Sequence, residues 1–97
     1  MPKGYWIVNN VVHDAETYEK YKLANAVAFA KFDAKFVVRG GQQELREGEA
    51  HPRTVVLEFR SYEAALACYD SDEYQEALAI RAAISDANLV IVEGYEG

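Results

Sequence analysis

The sequence predicts one α+β domain over residues 1–97, ordered β-α-β-β-α-β, with a four-stranded antiparallel sheet carrying two helices on one face. Three observations lead there. Four short stretches rich in aromatic and β-branched residues are too brief for typical helices. Two longer stretches space their apolar residues by three and four, so that strand-helix-strand occurs twice. The strands are apolar on both sides, although the helices can cover only one face. This is the ferredoxin-like arrangement, and its uncovered face calls for a second sheet, which two copies related by a two-fold axis supply.

The first strand is Gly4 to Val12, apolar on both faces until Asn9-Asn10. Asp14 stands where an N-cap belongs, and Glu16 complements the dipole of the helix that follows. The stripe of that helix reads Tyr18, Tyr21, Leu23 or Ala24, Asn25, Ala28, Phe29 and Phe32, with Asn25 its polar intruder. Asp33-Ala34 turns the chain into a second strand, Lys35 to Arg39, with Gly40-Gly41 behind it as a β-bulge that twists the hairpin or a place of close ligand approach. Gln42 to Ala50 is a loop or a twisted extension of the hairpin, ended by His51-Pro52. Arg53 to Phe59 is the third strand, apolar apart from Glu58. Ser61 caps a second helix that Asp70-Ser71-Asp72 interrupts, Ser71 capping the continuation through about Ser85. Asn88 to Glu93 is the fourth strand, followed by the tail Gly94 to Gly97.

A chain of 97 residues builds a limited core, yet 51% of it is hydrophobic, which leaves apolar surface for a partner. A net charge of −6 and a pI near 4.8 oppose nucleic acid and anionic membrane surfaces. No apolar run approaches the roughly 20 residues of a membrane span. The single cysteine, Cys68, cannot form an internal disulfide and reads as a small core residue, and nothing resembles a signal peptide, so the expected location is cytoplasmic.

The exits of the first two strands lie beside the start of the third. Asn9, Asn10, His13, Arg39, Gly40, His51, Arg53 and the helix end near Arg81 therefore share one end of the fold, proposed as the mouth of a pocket between helices and sheet. Arg81 sits on or beside a helix stripe where an aliphatic residue belongs. With Arg39 it either clamps a substrate carboxylate or enolate, or pairs with an acid such as Glu58 or Glu93, or crosses a dimer interface. Tyr69 and Tyr74 flank the helix break, where phenols orient a substrate or simply pack. Asn25 needs a partner for its amide, be it backbone, water or ligand. His51 and His13 are the only histidines; they read first as turn and cap neighbours, with a role as general base the alternative. The ligand-binding candidates are thus Asn25, Arg39, Tyr69, Tyr74, Arg81 and His51. Without a Cys or carboxylate cluster at ligand spacing no metal is expected, and without a phosphate loop, dinucleotide fingerprint or nucleophile elbow no cofactor is.

Pro2 to Ile7, Asn25 with Phe29-Ala30, Phe36 to Gly41, Glu47-Gly48-Glu49, Val55 to Phe59, Ser71 to Gln75 and Leu89 to Tyr95 together resemble an uncharacterised bacterial family. It is a domain-of-unknown-function family, numbered 1330, of the dimeric α/β-barrel superfamily. The chain departs from its relatives at Asp33-Ala34, where they commonly carry glycines, and at Asp72, where they often have proline. The resemblance implies a homodimer, and the superfamily includes cofactor-free oxygenases and lactone isomerases that work between helices and sheet. Two functions follow as expectations: small-molecule binding or cofactor-free catalysis on a small anionic or aromatic ligand, or a non-catalytic homodimeric sensor or accessory protein.

Overall fold

Local signals set most of the element boundaries in the computed structural model, which describes residues 2–96 and leaves Met1 and the last tail residue, Gly97, outside. Strand β1 is Gly4–Val12, helix α1 Ala15–Lys31, β2 Lys35–Arg39 and β3 Arg53–Phe59. Helices α2 (Tyr62–Asp70) and α3 (Asp72–Ala82) precede β4, Ser85–Glu93. The Asp14 carboxylate accepts the Thr17 amide at 3.1 Å and the Thr17 hydroxyl at 2.7 Å, and these bonds hold its pKa below the usual value. Ser61 accepts the Ala64 amide at 3.0 Å in the same way at α2. Asp33 takes the left-handed conformation, φ 55°, that the turn after α1 requires, and the Ala34 amide closes it on the Phe29 carbonyl at 2.9 Å.

The second helix is two helices. Ser71 is extended (ψ 150°), donates to the Cys68 carbonyl at 2.6 Å and accepts the Tyr74 amide at 3.2 Å, ending one helix and starting the next. The described residues therefore form three helical segments rather than two. α3 stops at Ala82, short of Ser85, and β4 begins at Ser85 rather than Asn88, because Ser85, Asp86 and Ala87 pair with Val12, Val11 and Asn10.

The sheet is antiparallel throughout, ordered β2-β3-β1-β4. Its bulge is not at Gly40-Gly41. The β2-β3 register shifts between Phe36 and Val38, which makes Val37 the extra residue. Gly40 serves a different purpose: with φ 71° it donates to the Thr54 carbonyl, and a Cβ there would come within 2.9 Å of Arg53 Nε. Residues 42–50 form a loop rather than a longer hairpin, tied down where Gln43 donates to the His51 carbonyl at 3.0 Å and accepts the Thr54 hydroxyl at 2.6 Å.

Strand alternation divides the sheet into two unlike faces. Trp6, Val8 and Asn10 of β1 lie under the helices with Val55, Leu57 and Phe59 of β3. Trp6 is the hub of the core; its ring meets Phe29, Phe59, Tyr69 and Tyr74 at 4.8–5.8 Å between centroids, and its Nε1 donates to the Ala65 carbonyl at 2.9 Å. The other face carries Ile7, Val38, Val90 and Val92, all exposed. Glu58, also on that face, takes Lys3 at 3.3 Å and the Tyr5 hydroxyl at 3.2 Å, so it is no partner for an arginine on the helix side. Among the described residues no helix is long and apolar enough to cross a membrane.

Candidate functional site

The helices do not seal the sheet completely. Between α1, α3 and the strands runs a cleft of about 440 Å³, its solvent opening included, whose narrow interior of about 30 Å³ has room for one or two waters. Its walls are apolar and aromatic: Trp6, Val8, Phe29, Phe36, Val55, Leu57 and Leu89. Its charged lining is of one sign. Lys22, Arg39, Arg53 and Arg81 face it, and among the described residues no aspartate or glutamate does, in a chain whose net charge is −6.

Each polar group reaches the cleft by an identifiable local route. The Tyr18 hydroxyl, on α1, accepts Arg53 Nη1 at 2.8 Å, with the guanidinium 5.3 Å from the ring centre. One turn on, the Tyr21 hydroxyl meets that of Tyr74 from α3 at 2.9 Å. Two hydroxyls bring two protons and this contact uses one, so one O–H stays free to donate. Burial pushes the Tyr74 phenol well above its usual pKa, the Tyr21 hydroxyl adds to the rise, and Arg81 offsets only part of it. Tyr74 is therefore a neutral hydrogen-bond donor at ordinary pH, not a base.

Arg81 enters from the last turn of α3 and is 7% exposed. Burial works against its charge, but the Tyr74 and Tyr21 oxygens beside it more than compensate, and its pKa lies above the ordinary value. Among the described residues it forms no ion pair, and its buried Nε has no hydrogen-bond partner. Neither Glu58 nor Glu93 neutralises it. Among the described residues Asn10, 1% exposed, is also incompletely partnered: its Nδ2 lies 3.5 Å from the Tyr18 hydroxyl and its Oδ1 has no hydrogen-bond partner. Asn25 is buried on the α1 stripe and lines the cleft, its side-chain amide making no hydrogen bond to any described residue. Arg39 lies over the Phe36 ring, 4.0 Å from its centre, at the exposed side.

Of the six candidate residues, Asn25, Arg39, Tyr74 and Arg81 line this cleft. Tyr69 does not; its ring packs on Trp6 and Tyr74 from the far side, and its carbonyl accepts Gln75 at 2.6 Å. His51 belongs to the opposite side of the sheet. Its amide donates to Asn9 Oδ1 at 2.6 Å and its carbonyl accepts Asn9 Nδ2 at 3.0 Å, and its residue lines an open depression with Glu49, Ala50 and Asn88. Adjacent strand residues face opposite ways, which separates Asn9 from Asn10 and splits the proposed strand-end group between two faces. His13 is exposed, 2.8 Å from Asp86. Asn10 and Arg53, expected at the pocket mouth from the strand ends, line the cleft as well; Tyr18 and Tyr21 join them, signalled only as two phenols three residues apart on the α1 stripe. Cys68 is fully buried against the Ala28 carbonyl, and burial pushes its thiol up to about 12. Among the described residues no three His, Cys, Asp or Glu side chains are placed to hold a metal.

The sequence matches the family model described as Domain of unknown function (DUF1330) over residues 3–95. No curated protein matches it. Among solved structures, the chain is similar to RPA0582 of Rhodopseudomonas palustris, a protein of unknown function: TM-score 0.79 at 18% identity, covering 99% of this chain and 85% of the other. It is similar to a dimeric ferredoxin-like protein of unknown function from Thermobifida fusca, with TM-score 0.63, 20% identity and coverage of 95% and 91%. It is also similar to SnoaB, a cofactor-independent oxygenase from Streptomyces nogalater, with TM-score 0.63, 11% identity and coverage of 100% and 97%. At these identities the likeness is one of fold.

Proposed function

The chain belongs to the DUF1330 family, and from that footing we propose that it binds a small organic anion with a flat apolar body in the cleft between helices and sheet. One observation carries the reading: among the described residues, a buried guanidinium whose Nε has no partner stands in a cleft lined by cations and no carboxylate. A buried charge without a counter-ion costs several kcal/mol, on the order that binding an anion returns. The bare Oδ1 of the buried Asn10 amide supports the same conclusion, since buried polar groups are otherwise nearly always satisfied.

The described lining offers no histidine, carboxylate or low-pKa thiol to remove a proton. Chemistry in the cleft would start from a substrate that arrives ionised, with Arg81 and the tyrosine hydroxyls holding its charge. The shared fold with a cofactor-independent oxygenase supports an enzymatic use of such a site. The homodimer is part of the proposal: Ile7, Val38, Val90 and Val92 form an apolar sheet face, and the similar Thermobifida fusca protein is dimeric.

A thermal-shift comparison of aromatic anions with neutral counterparts of equal size, such as benzoate against benzyl alcohol, tests the site. An anion at 100 times its Kd should add about 2.7 kcal/mol, several degrees for a domain of this size, and its neutral counterpart almost nothing. Equal shifts for both, or no shift with any anion, would overturn the proposal.

A further inference from the structure

We infer that the anion is a carboxylate, seated in two parallel hydrogen bonds on the Nε edge of Arg81, with the free hydroxyl of the Tyr21–Tyr74 pair donating beside it. This names the ligand class of the cleft and rests on the proposed anion-binding function.

The three cleft arginines are not equivalent. Arg53 spends Nη1 on the Tyr18 hydroxyl, and Arg39 lies at the exposed side over Phe36. Arg81 alone is both buried and bare at Nε. Nε–H and the neighbouring Nη–H of a guanidinium point the same way, a fork that fits two oxygens on one carbon. A phenolate or enolate offers one oxygen and fills only half of that fork. A phosphate fills the fork but carries a second charge into walls that are aromatic and apolar.

The hydroxyl pair sharpens the choice. Tyr21 and Tyr74 lie beside the Arg81 guanidinium, which has no lone pair to accept their spare proton. A carboxylate oxygen does accept it, so the arginine fork and the phenol satisfy one another through the ligand. The interior of about 30 Å³ takes the carboxylate head alone, so the flat body lies in the wider mouth, where Phe36 and Arg39 are exposed.

Isothermal titration of the intact protein with benzoate, 4-nitrophenolate and phenyl phosphate separates the classes. Benzoate should bind at least tenfold more tightly than either of the others. Arg81→Lys keeps the charge and loses the fork, and should weaken benzoate at least tenfold, whereas Arg39→Ala should weaken it by less. Equal affinity for 4-nitrophenolate, preference for phenyl phosphate, or unchanged benzoate affinity in Arg81→Lys would overturn the carboxylate assignment while leaving anion binding intact. Failure of all three anions would remove both. The ligand comparison on the unaltered protein decides the matter even if Arg81→Lys does not fold.

Discussion

The two faces of the sheet are unsatisfied in opposite ways. Beneath the helices, where apolar packing is the rule, the strands and helices hide an arginine and an asparagine without full partners. On the other side, where water is available, they display Ile7, Val38, Val90 and Val92. A polar group withheld from water and an apolar group offered to it each mark a missing neighbour, but of different chemistry: an anion for the first, another apolar surface for the second. The alternation of one strand separates the two demands, since Trp6, Val8 and Asn10 face one way and Ile7 and Asn9 the other.

The largest effect expected from disturbing either face is at the hub of the helix side. Trp6→Ala removes a ring packed on four aromatic neighbours and a hydrogen bond to Ala65, and should cost about 3–5 kcal/mol in denaturant unfolding. A cost under 1 kcal/mol would mean that this face is not the core of the fold. The open face responds differently. Val90→Lys puts a charge on the β4 edge of that face, opposite Ile7, and light scattering at micromolar concentration should change from about twice the 10.9 kDa chain mass to the mass itself. A Val90→Lys protein that stays dimeric would place the dimer contact elsewhere. The smallest effect is at Cys68, whose thiol burial holds near 12 against an ordinary 9.0. The unfolded chain ionises first, so this group leaves stability untouched below pH 9 and erodes it as pH rises from there towards 12. Alkylation of Cys68 at pH 8 should accordingly proceed only through unfolding; rapid modification of the native protein would contradict its burial.

Legibility in the sequence followed the range of the interactions. Asp14, Ser61 and Ser71 announce their helices because a cap is made with an amide three residues away. The start of β4 was hidden, since Ser85 to Ala87 become strand only by pairing with the far end of β1. Val37 gave no sign of being the bulge; glycines suggest one, whereas the register between two strands decides it. In the cleft, Asn25 and Arg81 stood out as polar residues on apolar stripes, and that contrast is local. Tyr69 and His51 did not belong there because a helix break and a strand end fix proximity in sequence but not facing. Tyr18 and Tyr21 look like ordinary core aromatics until Arg53 and Tyr74 are brought against their hydroxyls.

The most direct test of the contrast between the faces is the thermal stability of Arg81→Met, measured with and without benzoate. If the guanidinium is held for a ligand, removing it relieves an unpaired buried charge. The ligand-free variant should then unfold at a temperature a few degrees above the wild type, a gain on the order of 1 kcal/mol, while its benzoate-induced shift disappears. An Arg81→Met protein that is less stable and still responds to benzoate as the wild type does would show that Arg81 serves the fold and not a ligand.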